Sequence, residues 1–248
     1  MWSTAWVTGA GTGIGREMAL QLARMGVKVA VSGRRAEPLQ ALAAESANIT
    51  AFPLDVTDAT AVAQTFARIE QALGPLDLAV LAAGTYHPVN GREFAAKPYL
   101  EMMGTNYGGV IHGLAALLPA MRARRRGHVA WIASVAGYRG LPKASAYGPS
   151  KAALINLAES LKPELEADGI TISVINPGFV KTPLTAQNDF PMPFLMEAPD
   201  AARMAISGLA QRKFEIAFPR PFVMLLKMAR MLPYRAYFHL IRRHVLKP

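Results

Sequence analysis

Short runs of apolar, often β-branched residues alternate with longer amphipathic stretches from the start of the chain to about residue 180. Nearly continuous apolar runs are typical of strands that helices cover on both faces of a parallel sheet. The alternation therefore predicts βαβ units. We predict strands at 5–8, 27–32, 49–53, 76–82, 128–133 and 171–176, and helices at 15–24, 38–46, 59–73, 99–122 and 146–167.

The pattern changes beyond residue 182. Residues 183–199 are rich in Pro and Met, which is typical of a mobile segment that covers a site as a lid. A helix at 198–212 and a short strand at 214–218 would complete the sheet. We therefore predict one doubly wound, Rossmann-like α/β domain at residues 1–219, with helices on both faces of a parallel sheet, and a C-terminal extension at 220–248.

The extension is both apolar and basic. Its apolar residues Tyr234, Tyr237, Phe238, Ile241 and Val245 recur at helical spacing, which predicts a basic amphipathic helix. Such a helix can dock on the body of the protein or on a second subunit, and it can also lie on an anionic membrane. No acidic residue follows Glu215, whereas seven cationic ones do: Arg220, Lys227, Arg230, Arg235, Arg242, Arg243 and Lys247.

The composition narrows the function classes. The net charge of the 248 residues is +10, which fits a phosphorylated ligand, an anionic membrane or nucleic acid; without a nucleic-acid-binding motif, we expect no nucleic-acid partner. The absence of cysteine excludes disulfides, a thiolate nucleophile and a Cys-ligated metal, and we predict no metal site. The first residues run directly into a strand, without an apparent signal peptide. The expected location is the cytoplasm, with peripheral contact at the inner face of a membrane as an alternative.

A glycine-rich segment, TGAGTGIG at 8–15, separates the first predicted strand from the first helix. Glycines in this setting let backbone N–H groups approach a pyrophosphate at the positive end of the helix. The spacing is not G-x-G-x-x-G, so the segment alone is also compatible with an ordinary turn.

The end of the second predicted strand bears on the choice of dinucleotide. NAD-binding sites usually carry an acidic residue there for the adenine ribose, but this chain has Gly33-Arg34-Arg35. Two guanidiniums attract a 2'-phosphate, which favours NADP(H) over NAD(H). Either arginine could instead be a solvated residue at the start of the next helix.

Tyr147 and Lys151 lie four residues apart at the start of a predicted helix, so they share a face. A cation beside a phenol lowers the phenol pKa from its usual value of about 10 towards the working range of an acid–base catalyst. Alone, the pair is more often a half-buried ring beside a solvated amine.

Together with Asn106 and Ser134, these motifs resemble the short-chain dehydrogenase/reductase family, in its single-domain group of about this length, over residues 3 to 185. The resemblance rests on TGAGTGIG at 8–15, Asp55-Val56, Ser134, YGPSK at 147–151, and Asn176-Pro177-Gly178 with Thr182. The chain departs from the family at Ala82-Ala83-Gly84, where Asn-Ala-Gly is usual.

The resemblance implies four catalytic residues. Ser134 would donate a hydrogen bond to the substrate carbonyl, and Tyr147 would transfer the proton. Lys151 would lower the tyrosine pKa and bind the nicotinamide ribose, and Asn106 would hold a water in the proton relay. Ser134 could instead act only as a cap, and Asn106 could only satisfy nearby backbone.

The resemblance also implies a set of cofactor contacts. Asp55 would accept from the adenine amine while Val56 packs on the ring, although Asp55 could equally cap the helix that begins near residue 58. The implied contacts are Gly9, Thr12, Gly13, Ile14, Gly15, Arg34, Arg35, Asp55, Val56, Ala83, Gly84, Tyr147, Lys151, Pro177, Gly178, Val180 and Thr182.

The sequence thus predicts an NADP(H)-dependent oxidoreductase that transfers hydride between nicotinamide and a carbonyl or secondary alcohol. An epimerase or dehydratase on the same scaffold and a non-catalytic nucleotide-sensing protein are the alternatives. The family implies a homodimer or homotetramer. A hydrophobic substrate is suggested by apolar lid residues, which could also merely pack the lid against the body: Leu184, Phe190, Met192, Phe194, Leu195 and Met196.

Overall fold

A parallel sheet forms the centre of the molecule. The computed structural model describes residues 2–89, 91 and 93–244. Its strands in that part of the chain are β1 (Thr4–Thr8), β2 (Lys28–Ser32), β3 (Ile49–Ala51), β4 (Leu78–Leu81), β5 (Gly127–Ile132), β6 (Ile170–Pro177), β7 (Val180–Lys181), β8 (Met196–Glu197) and β9 (Glu215–Phe218). The main sheet has the order β3-β2-β1-β4-β5-β6-β9, and β7 pairs separately with β8.

Helices cover both faces of this sheet. They are α1 (Gly13–Arg24), α2 (Ala36–Ala44), α3 (Ala59–Leu73), α4 (Ala96–Met103), α5 (Gly109–Ala123), α6 (Tyr147–Ala167), α7 (Ala198–Ala210), α8 (Arg220–Met231) and α9 (Tyr234–His244). The prediction of a doubly wound, Rossmann-like domain is confirmed.

Side-chain alternation along β1 divides the core into two layers. Ala5 and Val7 pack with α1, α2 and α7 on one face, and Trp6 packs with α3, α5 and α6 on the other. Because every pair in the main sheet is parallel, the carboxyl ends of the strands share one edge. The strand order reverses between β1 and β4, and a crevice for ligands is expected at that point of the edge.

The predicted helix at 99–122 is interrupted. A π-helical turn (Gly104–Gly108) separates α4 from α5 and contains Asn106. A π turn inserts an extra residue per turn and often occurs at functional sites. The short strands β7 and β8 and the helix α8 were also not predicted, because their periodicity is brief or is hidden among apolar residues.

The C-terminal helices dock on the body of the protein. Phe222 and Val223 of α8 join the core, and Tyr237 of α9 is buried. Arg139 donates hydrogen bonds to the carbonyls of Ala229, Arg230 and Leu232 at 2.6, 2.9 and 2.7 Å, and its guanidinium lies 3.9 Å from the centre of the Tyr237 ring.

The amphipathic helix predicted from Tyr234, Tyr237, Phe238 and Ile241 is thereby confirmed as α9, and docking on the body is one of its contacts. Val245 and Lys247 lie outside the described residues. No helix in the described part of the chain is long and apolar enough to cross a bilayer.

Candidate active site

The glycine segment brings the end of β1 close to the end of β4. Gly9 has φ +65°, and a Cβ added there would lie 2.7 Å from Ala82 O and from Ala83 N. At Gly15 an added Cβ would lie 2.6 Å from the carbonyl oxygen of Gly9. Only glycine fits such contacts, so the loop can turn tightly into α1 and present its N–H groups at the positive helix end.

Thr8 holds the loop after β4 by hydrogen bonds. This loop contains Ala82, at the position where the family usually has asparagine. The Thr8 hydroxyl accepts hydrogen bonds from Ala82 N at 3.0 Å and from Ala83 N at 3.1 Å. These bonds connect β1 with the segment after β4 although no asparagine stands at position 82.

Ser134, Tyr147 and Lys151 come together at the carboxyl edge of the sheet. Ser134 follows β5, where its Oγ accepts from Ala136 N at 3.1 Å and donates towards Pro177 O at 3.4 Å. Tyr147 and Lys151 lie in the first turns of α6, with the Lys151 Nζ 5.4 Å from the centre of the phenol ring. Lys151 is buried, and its Nζ donates to Ile132 O at 2.8 Å. Ser134 therefore caps locally and also stands beside the tyrosine.

Burial dominates the titration of this group. It raises the pKa of Tyr147 to about 12, with a hydrogen bond to Ser134 acting in the opposite direction. Burial lowers the pKa of Lys151 to about 7. The pKa of Tyr147 therefore lies above its usual value, because burial dominates it, and the lowering of this pKa by Lys151 stays a prediction.

Tyr86 is a neighbour that the sequence motifs did not reveal. It follows β4 and is buried, and its ring meets that of Tyr147 edge-on, with the centroids 5.4 Å apart. The two rings pack together, and Tyr86 adds a smaller rise to the Tyr147 pKa. An aromatic residue two positions after Gly84 was the only available signal.

Asn106 is fully buried behind this group. Its Oδ1 accepts from Thr85 N at 2.7 Å, and its Nδ2 donates to Thr85 O at 3.1 Å and to Ser150 Oγ at 3.0 Å. A Cβ at Gly84 would lie 3.3 Å from Asn106 Oδ1 and 3.7 Å from Lys151 Nζ. The amide therefore joins the π turn, the β4 loop and α6 into one unit, next to the lysine.

A cleft of about 360 Å³ extends from Tyr147 to the glycine segment and the end of β2. It is lined by the predicted catalytic residue Ser134 and by fourteen of the predicted cofactor contacts: Gly9, Thr12, Gly13, Ile14, Gly15, Arg34, Arg35, Gly84, Tyr147, Lys151, Pro177, Gly178, Val180 and Thr182. Further lining residues were not among the predicted cofactor contacts: Gly11, Gly33, Pro38, Ala82, Ile132, Ala133, Leu184 and Thr185. The cleft thus lies along the carboxyl edge of the sheet, where a dinucleotide is expected to bind.

The far end of the cleft is open and cationic. Arg34 and Arg35 are exposed, and Arg35 stands immediately before α2. Arg34 also borders a second groove of about 860 Å³, which Asp55 and Arg68 help to line. Asp55 accepts from Thr57 N at 3.0 Å, and this bond and the charge of Arg34 help to lower its pKa.

Comparison with known proteins identifies the family. Residues 3–191 match the family model of the short chain dehydrogenases. An uncharacterized oxidoreductase of Myxococcus xanthus is 42% identical over 234 residues, which are 93% of this chain and 92% of the relative. The chain belongs to the short-chain dehydrogenase/reductase family. It is therefore an oxidoreductase that uses a nicotinamide dinucleotide.

Solved structures agree with this assignment. A short-chain dehydrogenase/reductase from Burkholderia phymatum in complex with NAD has the same fold, with a TM-score of 0.83 at 24% identity over 91% of this chain and 92% of that one. A short-chain dehydrogenase from Sphingobium yanoikuyae in complex with NADPH has a TM-score of 0.78 at 25% identity over 86% of this chain and 87% of that one. Both dinucleotides thus occur among its structural neighbours.

Two predicted contacts of this dehydrogenase and the alternative given for Asp55 need correction. Val56 does not line the cleft, because it is buried in the core, where a Cβ at Gly109 would lie 2.6 Å from its Cγ2. Ala83 does not line it either, since its backbone faces Gly9 and Thr8. The reading of Asp55 as a helix cap is wrong, because Asp58 caps α3 by accepting from Ala61 N at 2.9 Å.

The lid residues separate into different groups. Leu184 lines the cleft, and Phe190 packs on Phe179 with ring centres 5.9 Å apart. Phe194 and Leu195 are exposed, so they do not form pocket walls here. Asp189 pairs with Lys143 at 3.0 Å, which joins the lid to the segment before Tyr147.

A nicotinamide dinucleotide fits the residues present. The N–H groups at the start of α1 suit the pyrophosphate, and the close approach at Gly9 and Gly15 keeps that path free of side chains. Arg34 and Arg35 supply opposite charge at one end, and the Lys151 ammonium lies at the other.

Proposed function

We propose that this dehydrogenase uses NADP(H) to interconvert a carbonyl and a secondary alcohol of a hydrophobic substrate, with Ser134, Tyr147, Lys151 and Asn106 as its catalytic set. The observation that carries the proposal is the placement of Ser134, Tyr147 and Lys151 at one end of a single cleft whose other end is the Gly9–Gly15 loop and Arg34. The bound dinucleotide supplies or accepts the hydride.

Tyr147 acts as the proton donor to the carbonyl oxygen. With a pKa of about 12 the phenol remains protonated at neutral pH, which suits donation to an alkoxide as it forms.

Ser134 and Lys151 support that transfer. The Ser134 hydroxyl, which stands beside the phenol, donates a hydrogen bond to the same substrate oxygen and stabilises its developing charge. Lys151 binds the nicotinamide ribose, and a pKa of about 7 lets its amine exchange a proton near neutral pH and so replenish the phenol. Asn106 holds the loop and the lysine in place and holds a water of the proton relay.

Arg34 and Arg35 are the basis of the NADP(H) preference. Both are exposed at the end of β2, no carboxylate stands at that position, and Gly33 leaves room there. Paired guanidiniums bind a phosphate with charge-assisted hydrogen bonds. Asp55 borders the adjoining groove and is the proposed partner of the adenine amine. In a fluorescence titration we expect a lower Kd for NADPH than for NADH, and the reverse order would contradict the preference.

Leu184 and the adjacent lid support a hydrophobic substrate, since Leu184 lines the cleft on the side of Thr182. The proposal also includes a homodimer or homotetramer, because members of the family commonly pair through helices that flank the active site. The cytoplasm is the proposed location. Sedimentation analysis tests the oligomeric state, and fractionation of cells tests the location.

The mechanism is tested by NADPH consumption with a panel of aldehydes and ketones. The Tyr147→Phe enzyme should lose about 10²–10⁴-fold in turnover, while NADPH affinity stays unchanged. Tyr86→Phe is the matched control, since it removes a hydroxyl from the adjacent ring and should lose less than about tenfold. Similar turnover of Tyr147→Phe and wild type would refute the assigned role. Tight NADPH binding without consumption by any carbonyl would favour a nucleotide-sensing protein.

A further inference from the structure

Large apolar side chains stand exposed on the outside of the two C-terminal helices. Met231 has 84% of its surface exposed, and the others range from 49% to 73%. We call these residues the α8–α9 surface: Met224, Leu225, Met228, Met231, Tyr234 and Phe238.

Helix α8 is apolar on two sides. Phe222, Val223 and Leu226 face the core, while Met224, Met228 and Met231 recur at i, i+4 and i+7 on the outside. A helix at the surface of a soluble domain normally presents polar residues outward. Contiguous exposed apolar side chains of this kind mark an interaction surface, and methionine adapts its shape to varied or fluid partners.

The charged side chains of the two helices are all Arg or Lys. Arg220, Lys227 and Arg230 lie on α8, and Arg235, Arg242 and Arg243 lie on α9. No acidic residue occurs after Glu215, and Glu215 itself is occupied by Lys227 and by the Tyr138 hydroxyl at 2.6 Å. An interface between two copies related by a two-fold axis would bring these cations together. An anionic lipid surface complements them.

We propose that the α8–α9 surface binds peripherally to an anionic lipid bilayer. The methionines and Phe238 enter the boundary between headgroups and acyl chains, and Arg235 and Arg242, beside Phe238 on α9, contact lipid phosphates. The helices stay docked on the protein, since Arg139 holds the carbonyls at the end of α8 and the ring of Tyr237.

The lid contacts α8 on the side away from this surface. The exposed ring of Phe194 lies 6.1 Å from the ring of Phe222, which faces the core. The membrane binding therefore does not rest on the proposed function.

The test is co-sedimentation of the full chain with vesicles of phosphatidylcholine alone and of phosphatidylcholine mixed with phosphatidylglycerol. Binding is expected to the mixed vesicles and to weaken as salt rises above about 0.1 M. Met228→Asp with Met231→Asp should abolish it. Met204→Asp is the matched control, since Met204 is an exposed methionine on α7, across the sheet from α8, and should bind as wild type does.

A second pair of variants tests the charge. Each Lys or Arg near such a surface contributes about a factor of five to partitioning. Arg235→Gln with Arg242→Gln should therefore lower the partition coefficient about 30-fold. Arg24→Gln with Lys28→Gln removes the same charge from exposed positions of α1 and β2 and should have little effect. Thermal unfolding followed by circular dichroism shows whether each variant is folded. The salt dependence of wild-type binding tests the role of charge without any variant.

Absence of binding to the mixed vesicles would overturn the proposal. Equal binding to neutral vesicles would also overturn it, as would binding that survives both pairs of substitutions. A wild-type dimer that does not bind vesicles, and that Met228→Asp with Met231→Asp converts to a monomer, would assign the surface to a second copy. None of these results depends on turnover, so they leave the proposed oxidoreductase activity untouched.

Discussion

Near Tyr147 the polar side chains of the cleft are buried and bonded to backbone, whereas near Arg34 they are exposed to solvent. Lys151 donates to Ile132 O and Asn106 bonds Thr85 on both sides, but Arg34 and Arg35 extend from the surface. Buried groups hold their geometry before a ligand arrives, and this preorganisation is what catalysis requires. Exposed cations contribute little to the free energy of folding, so we expect them to act mainly on the affinity for the dinucleotide. Substitutions at the buried end of the cleft, near Tyr147, should therefore have far larger effects than substitutions at the open end, near Arg34.

The largest contrast is expected from Lys151→Met. Turnover should fall about 10²–10⁴-fold, because the amine at the phenol is lost. The folded state should lose no stability at pH 7, since the substitution removes the cost of burying an amine whose pKa falls to about 7. NADPH turnover and thermal unfolding measure the two effects.

Lys162→Met is the matched control for that prediction, since Lys162 lies on the same helix and pairs with Glu166 at the surface. Its turnover should equal that of the wild type. A Lys151→Met enzyme that retains most of its turnover would show that the buried end is not the catalytic end.

Buried titratable groups should also carry more of the pH dependence of stability than the exposed arginines do. His128 is buried at the start of β5, and burial lowers its pKa from 6.5 to about 4. Between these values the unfolded chain binds more protons, so stability is present above pH 6.5 and is lost as the pH falls through about 4. The loss should approach about 3 kcal/mol.

Urea unfolding of the wild type and of His128→Gln between neutral and acid pH measures this dependence. Glutamine can still bond Ser173 Oγ, which lies 2.8 Å from His128 Nε2, but it cannot titrate. The curve of the variant should be flatter in this window. Equal slopes for the two proteins would assign the acid sensitivity to other groups.

Asn106→Ala should destabilise the protein by about 1–3 kcal/mol, because it leaves the buried Ser150 hydroxyl and the part-buried N–H and C=O of Thr85 without their partner. Urea unfolding measures the loss, and turnover should fall with it as the β4 loop shifts. Asn48→Ala is the control. That side chain donates to Ala23 O at 3.1 Å from a part-buried position, so its removal should cost less. Equal losses would mean that the π turn gives Asn106 no special role.

The smallest effect is expected at the open end. Arg34→Ala with Arg35→Ala should raise the Kd for NADPH about 10–100-fold, as loss of hydrogen bonds to a charged phosphate does, and leave the Kd for NADH nearly unchanged. Thermal unfolding should not change, since both side chains are exposed. Parallel loss of affinity for both dinucleotides would show that these arginines do not recognise the 2'-phosphate.

The order of elements and the cluster of Ser134, Tyr147 and Lys151 were predictable because local patterns determine them. Apolar runs fix the strands, and chain order with parallel pairing brings their carboxyl ends to one edge. Predictions failed where a residue distant in the chain determines the surroundings of a side chain. Val56 was placed in the cofactor site, but the absence of a side chain at Gly109 lets α5 pack over it.

The C-terminal helices show the same limit. The spacing of Tyr234, Tyr237 and Phe238 predicts a helix, but the docking of Tyr237 depends on Arg139, which lies far away in the chain. Methionines on both sides of α8 conceal its inner face in the sequence. The interruption of the helix at 99–122 was equally hidden, because a π turn has no periodicity of its own.

The sequence by itself determined the family, the fold class, the order of the motifs along the chain and the residue types of the proton chemistry. Only the tertiary structure decided their environment. Burial, which is a sum over neighbours from several elements, raises the pKa of Tyr147 and lowers that of Lys151. The same sum leaves Arg34 and Met231 in solvent. The sequence specifies which side chain stands at a position, whereas the packing around that side chain sets its charge and its access to partners.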